Sequence, residues 1–163
     1  MTSKDIICYT PIGIIHSPFE TPEGTPIQSP ASKEIEAKVE IYPKYAEGLT
    51  DLEGFSHIIL LYHFHLAKKY SLIVKPFLDD KNHGLFSTRA SSRPNPIGLS
   101  VVTLIRREDN ILFIKNVDIV DQTPLLDIKP YVPQFSFDKT EVGWLKNNLH
   151  KLENMKDDGR FVE

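Results

Sequence analysis

The sequence predicts a mainly β fold, a small barrel or sandwich, with one short helix and one C-terminal helix. Three observations predict it. Short apolar segments recur in which the hydrophobic residues either alternate with polar ones or run on both faces. Twelve prolines break the chain between them, which suits short strands joined by turns. Strands do not alternate with long helices, so a doubly wound α/β fold is not expected.

The elements follow in order. Residues 1–10 form an N-terminal extension, 11–135 the β domain, and 136–163 a C-terminal helix with a polar tail. TPIGIIHSPF reads as a first strand closed by Pro18. The next stretch, ETPEGTPIQSPASKE, is loop chemistry: Pro22, Pro26 and Pro30 fix φ and remove backbone donors. A loop of this length inside a compact domain points to function. IEAKVEIY sets Ile35, Ala37, Val39 and Ile41 against Glu36, Lys38, Glu40 and Tyr42, the alternation of a half-buried strand. PKYAEGLTDLEGF holds a helical turn or two. SHIILLYHFHLA is apolar on both faces and is expected at the centre of the sheet. SLIVKPF is expected as a further strand stopped by Pro76. IGLSVVTLIRRE and NILFIKNVDIV form a hairpin joined at Glu108, Asp109 and Asn110. DIKPYVP is a short strand. Val142, Leu145, Leu149 and Leu152 recur at helical spacing, with Asp138 and Glu141 placed to cap the helix.

Composition narrows the function classes. With 163 residues, 40% hydrophobic and 25% charged, the chain can bury one substantial core. A net charge of −3 provides no general basic surface, so a nucleic-acid partner needs a local patch; DNA is not expected as a partner. The single cysteine, Cys8, excludes an internal disulfide. MTSKDIICYT lacks the pattern of a secretory signal, and Ile58–Leu66 is too short to span a bilayer, so a cytoplasmic protein without a membrane partner is expected.

Four segments are candidates for chemistry. In TRASSRPNPIGLS, Arg89 and Arg93 flank an elbow in which Pro94 and Pro96 restrict Arg93 and Asn95 to extended backbone. Guanidinium groups on such a stiff segment suit a carboxylate or phosphate; a lone surface arginine would be read as merely solvated. In VDIVDQTPLLDIKPY, Asp118, Asp121 and Asp127 can accept hydrogen bonds from ribose hydroxyls or an adenine amine, or sit near a cationic ligand, against the plainer reading of turn chemistry. His57, His63 and His65 share one strand face and with His16 or His83 have the makings of a zinc site. Histidines satisfied by hydrogen bonds are the stronger reading, and no metal is expected. Tyr62, Phe64, Phe86, Tyr131 and Phe135 can stack on bases, and Lys68, Lys69, Arg106 and Arg107 can meet phosphates, though core packing and solvation explain most of them individually. No glycine-rich dinucleotide loop, P-loop or nucleophile elbow is present, and Cys8 has no nucleophile signature around it.

PIGIIHSPF, GFSHIILLYHFH, TRASSRPNPIGLS and VDIVDQTPLLDIKPY together resemble the TsaA/TrmO-like family, over about Pro11 to Pro133. The resemblance implies a small β-barrel unrelated to Rossmann methyltransferases, a homodimer, S-adenosylmethionine as cofactor, and methylation of the exocyclic amine of the hypermodified adenosine beside the tRNA anticodon. It implies cofactor contacts at Pro26, Ile27 and Gln28, at His65 and Leu66, at Arg89 and Leu99, and at Asp121, Gln122, Thr123 and Pro124. Arg89 or Arg93 then suits the cofactor carboxylate, and His65 and Asp121 are the candidate proton acceptors. Gln122 departs from the family's usual glycine in the Asp-Gly-Thr-Pro turn, which disfavours a positive φ there. Many bacterial members carry a further C-terminal domain. The alternatives are a non-catalytic module that binds S-adenosylmethionine or RNA, and a methyltransferase acting on another substrate; a metal-dependent hydrolase ranks behind both.

Overall fold

The computed structural model describes residues 6–162. Residues 1–5 of the expected N-terminal extension lie outside them.

Among the described residues eight strands form: β1 (Gly13–His16), β2 (Glu36–Ile41), β3 (His57–His63), β4 (Ile73–Val74), β5 (His83–Gly84), β6 (Ile97–Glu108), β7 (Ile111–Lys115) and β8 (Thr123–Pro130). Six of them close a barrel in the order β1-β2-β7-β6-β3-β8, and β4 pairs with β5 as a separate ribbon. Every ladder is antiparallel.

Side-chain alternation explains the closure. In β2 the inward residues Ala37, Val39 and Ile41 are buried, and the three outward ones are exposed. In β3 Ile58, Leu60 and Tyr62 point inward, while His57 and His63 point to solvent. These side chains join Ile15, Val102, Leu112, Ile114 and Leu125, all inaccessible to solvent, in one core. Burying a side chain of this kind contributes roughly 1.5–3 kcal/mol. β3 is hydrogen-bonded on both sides, to β6 and β8, which accounts for its apolar character. The β6–β7 hairpin turns at Asp109, whose φ of 51° is left-handed. Closure also demands close backbone approach: a side chain at Gly13 would collide with the carbonyl oxygen of Glu40 on β2.

Two expected elements differ in form. The chain around SLIVKPF pairs only through Ile73 and Val74, because Pro76 ends the ladder and Ile73 faces solvent. The C-terminal segment is helical, but it winds as two 3₁₀ turns, Gly143–Asn147 and Leu149–Lys151, instead of one amphipathic helix capped by Asp138. Tertiary anchors set this path. Gly143 takes φ 56°, Trp144 donates from Nε1 to the Ser87 carbonyl (2.9 Å), and its ring stacks on His83 at 4.3 Å. The short helix expected near residue 43 is the 3₁₀ segment Pro43–Leu49.

Beyond these turns the chain returns to the barrel as a strap. Lys156 bridges Pro26; Gly24 N–H donates to Asp157 O, and Asp157 N–H to Thr25 O, each at 2.8 Å. The Arg160 guanidinium lies over the Phe77 ring, and Phe161 is buried against the same ring, 5.2 Å between centroids. Among the described residues no helix is long and apolar enough to cross a membrane.

Candidate functional site

A cavity of about 330 Å3 opens at one end of the barrel. Its walls come from the proline-rich loop, the chain leaving β3, the arginine-bearing loop before β6, the segment from β7 to β8, and the C-terminal strap.

The proline-rich loop is held by buried hydroxyls. Thr25, Ser29 and Ser32 are each under 5% exposed. Thr25 donates to Thr21 O (3.0 Å) and Ser32 to Ser29 O (3.0 Å), which fixes a 3₁₀ turn at Ser29–Ala31. The loop thus presents Pro26, Ile27 and Gln28 to the cavity.

The Arg89–Arg93 segment divides its two guanidinium groups between different tasks. Arg93 folds back and donates to the carbonyls of Thr88 (3.0 Å) and Ala90 (3.2 Å), so it closes its own loop while forming part of the wall. Arg89 donates to Gln28 Oε1 at 2.7 Å and otherwise remains exposed at the cavity. The elbow is fixed by Phe64 N–H donating to the Pro96 carbonyl (2.8 Å), which ties it to the end of β3. His65 and Leu66 follow there, and Leu99 stands opposite Leu61 on β6; all three line the cavity.

Thr123 is buried at the start of β8 and reaches His65. Its hydroxyl donates to Val120 O (2.6 Å), so the contact with His65 Nδ1 (3.4 Å) places the imidazole proton on Nδ1 and leaves Nε2 as an acceptor. Burial, and then the neighbouring His63, hold the His65 pKa below its ordinary value; Asp121 opposes them.

Asp121, Gln122 and Pro124 do not line this cavity. Asp121 accepts from Ser17 N–H (2.9 Å) and from the Gln122 amide (3.2 Å). Burial pushes its carboxyl up, but these hydrogen bonds prevail and hold it below the usual carboxylate range. Pro124 sits opposite Ile14 in the β1–β8 ladder. Gln122 adopts φ 60° in spite of its side chain, so the turn keeps the geometry a glycine would favour. Its amide also donates to His16 Nδ1 (3.1 Å), which offsets part of that strain.

The three histidines of the β3 region are not gathered. His57 contacts Ser56 and Thr103 on the outer face, His63 faces solvent, and only His65 enters the cavity. Among the described residues no three His, Cys, Asp or Glu side chains come together as a metal-holding group.

One feature of the cavity escaped sequence reasoning and another was read only in outline. Asp157, Phe161 and Val162 of the strap line it, although they belong to a tail that reads as polar; the apolar pair Phe161-Val162 was the available signal. Asp118, which reads as one of three candidate acceptor aspartates, is the one of those three that lines the cavity, where Asp157 joins it. It accepts from Ser100 Oγ (2.6 Å) and Ser29 Oγ (3.0 Å). Burial raises its pKa in spite of these hydrogen bonds.

These features define a class: a six-stranded barrel with a largely apolar cavity whose wall carries the guanidinium groups of Arg89 and Arg93, the carboxylates of Asp118 and Asp157, and the neutral imidazole of His65. The chain belongs to the family described as tRNA-methyltransferase O N-terminal domain, which it matches over residues 14–138. It is 59% identical, over 96% of its length and 85% of the relative's, to a probable S-adenosyl-L-methionine-binding protein of Pyrococcus abyssi. It is 35% identical to the tRNA (adenine(37)-N6)-methyltransferase of Mus musculus, over 87% of this chain and 34% of that enzyme. A crystal structure of TrmO from Pseudomonas aeruginosa superposes with a TM-score of 0.72 at 35% identity, covering 85% of this chain and 62% of that one. The chain therefore spans about a third of the mouse enzyme and less than two thirds of the crystallised one.

Proposed function

We propose that this chain is an S-adenosylmethionine-dependent methyltransferase of the cytoplasm. Its proposed substrate is the exocyclic amine of the hypermodified adenosine beside the anticodon of tRNA, and it works as a homodimer. The observation that carries this reading is the convergence of five separate segments on one cavity in a barrel of this family. The volume and the donor set fit the cofactor: apolar walls at Ile27, Leu66 and Leu99 for its nucleoside, and charged groups for its amino-acid end. When bound, S-adenosylmethionine supplies an electrophilic methyl group.

The chain's own residues then have defined tasks. Arg89 offers its planar fork to a carboxylate. Ile27, Leu66 and Leu99 exclude water. His65 Nε2 takes the proton from the acceptor amine, whose lone pair is otherwise drawn into the purine ring. Because the His65 pKa is lowered, the imidazole is neutral at pH 7 and loses its accepting lone pair only as pH falls below the ordinary histidine range. We therefore expect kcat/KM to be flat above pH 7 and to decline through a pKa under about 6.5. His65→Asn is expected to lower kcat about 100-fold with little change in cofactor affinity. A pH–rate profile checks this, and a variant that keeps the wild-type profile contradicts it.

Calorimetric titration of the purified chain with S-adenosylmethionine, with ATP as control, tests the cofactor assignment. Micromolar binding of S-adenosylmethionine alone is expected; no heat with it contradicts the assignment.

A further inference from the structure

We propose that Asp118 is the cavity's receptor for a ligand ammonium group, and that with Arg89 it clamps the zwitterionic end of an α-amino-acid moiety. This rests on reading the cavity as the S-adenosylmethionine site.

Asp118 is held rigidly. Its neighbours Val117 and Ile119 are 0% and 2% exposed and anchor the backbone in the core, which turns the intervening side chain toward the cavity. Two hydroxyls from separate parts of the chain donate to the same carboxylate oxygen, Oδ1: Ser100 on β6 and Ser29 in the proline-rich loop. The single proton of Ser100 is used in this contact. Its oxygen therefore accepts from the Tyr62 hydroxyl at 3.0 Å, which fixes the proton order Tyr62 to Ser100 to Asp118. Tyr62 is itself buried on β3, and burial followed by the charge of Asp118 pushes its hydroxyl pKa up, so it remains a donor.

This arrangement leaves Oδ2. Among the described residues no other residue donates to it, and among them no buried side-chain nitrogen or oxygen lacks a partner. Beyond the two serines only the backbone N–H of Asp118 itself supports the carboxylate, and the side chain lines the cavity, which leaves it acceptor capacity for a ligand donor. Arg89 lines the same cavity but makes no ion pair with Asp118; its guanidinium is engaged by the neutral Gln28 amide. A carboxylate and a guanidinium that line one cavity without pairing are complementary in charge to an ammonium and a carboxylate that share one carbon. The partly desolvated charge contributes nothing evident to barrel stability, since burying an unpaired charge costs free energy.

Titration of Asp118→Asn tests the proposal. Asparagine keeps an acceptor for the serine hydroxyls and removes the charge, so the thermal midpoint is expected to stay or rise. The S-adenosylmethionine Kd is expected to weaken about 30-fold, the loss of one charge-assisted hydrogen bond. Affinity for 5′-methylthioadenosine, which lacks the amino-acid end, is expected to stay unchanged. Unchanged S-adenosylmethionine affinity overturns the proposal, and so does an equal loss for both ligands, which would assign Asp118 to the nucleoside. A second measurement on the wild-type chain does not depend on the variant: S-adenosylhomocysteine is expected to bind at least tenfold more tightly than its deaminated analogue, and equal affinities overturn the proposal. A wild-type chain that binds no S-adenosylmethionine at all overturns the cofactor assignment and this proposal together, an outcome distinct from any that concerns Asp118 alone.

Discussion

Gly98→Ala is expected to lower the melting temperature by about 4–16 °C. Gly98 lies directly opposite Tyr62 in the β3–β6 ladder, and an added Cβ would enter the Tyr62 ring at Cε2 and Cζ. The ring cannot retreat. It is 4% exposed, packs edge-on against Phe64 at 5.3 Å, and is tied through its hydroxyl to Ser100. Overpacking of this kind costs about 1–3 kcal/mol, and losing the Tyr62–Ser100 hydrogen bond adds about 1 kcal/mol. Because Tyr62 fixes Ser100, and Ser100 fixes Asp118, the same substitution is expected to weaken cofactor binding. Thermal denaturation followed by circular dichroism checks the first effect. A midpoint within 2 °C of wild type, about the smallest shift expected per kcal/mol for a chain of this size, would show that the glycine is not needed for the Tyr62 ring.

Arg89→Ala is expected to weaken S-adenosylmethionine binding about 30-fold while leaving the melting temperature unchanged. The two outcomes separate because the guanidinium is exposed and its only hydrogen bond among the described residues is to Gln28. Substitutions at such positions shift stability within about 0.5 kcal/mol. A charge-assisted contact to a carboxylate, by contrast, is worth about 1.5–3 kcal/mol. Arg93→Ala provides the contrast: its guanidinium holds the Thr88 and Ala90 carbonyls, so stability falls along with affinity. Titration calorimetry of Arg89→Ala decides the matter, and an unchanged Kd removes Arg89 from the site.

Much of the barrel was legible because period-2 alternation is a local signal. IEAKVEIY predicts a strand over 35–42, and β2 runs Glu36–Ile41; the hairpin around Asp109 falls where the turn residues put it. The C-terminal helix was misjudged in form because its backbone obeys partners distant in sequence. Trp144 is fixed by Ser87 and His83, and no helical period encodes those contacts. Gln122 was expected to disturb its turn. The turn kept its positive φ because Asp121 and His16 hold the glutamine amide.

The candidate site divides in the same way. The arginine elbow and the proline-rich loop announce themselves through residue types that stiffen the chain. Asp118 stands out less: it reads as one of three candidate acceptors, and an aspartate after a strand also looks like ordinary turn chemistry. Its environment exists only once Ser29, Tyr62 and Ser100, from three separate segments, meet around it. The strap is hidden for a related reason: Phe161 and Val162 acquire a role only when the β-bridge between Pro26 and Lys156 brings the tail across the cavity.

The central claim, methyl transfer to a tRNA adenosine, is tested most directly by incubating the purified chain with tRNA and S-adenosylmethionine labelled in its methyl group, then digesting the RNA to nucleosides. Label recovered in an N6-methylated form of the hypermodified adenosine beside the anticodon is the result the account predicts. Unlabelled tRNA, from a chain that binds S-adenosylmethionine in calorimetry, would contradict it and leave a binding module or a methyltransferase for another substrate.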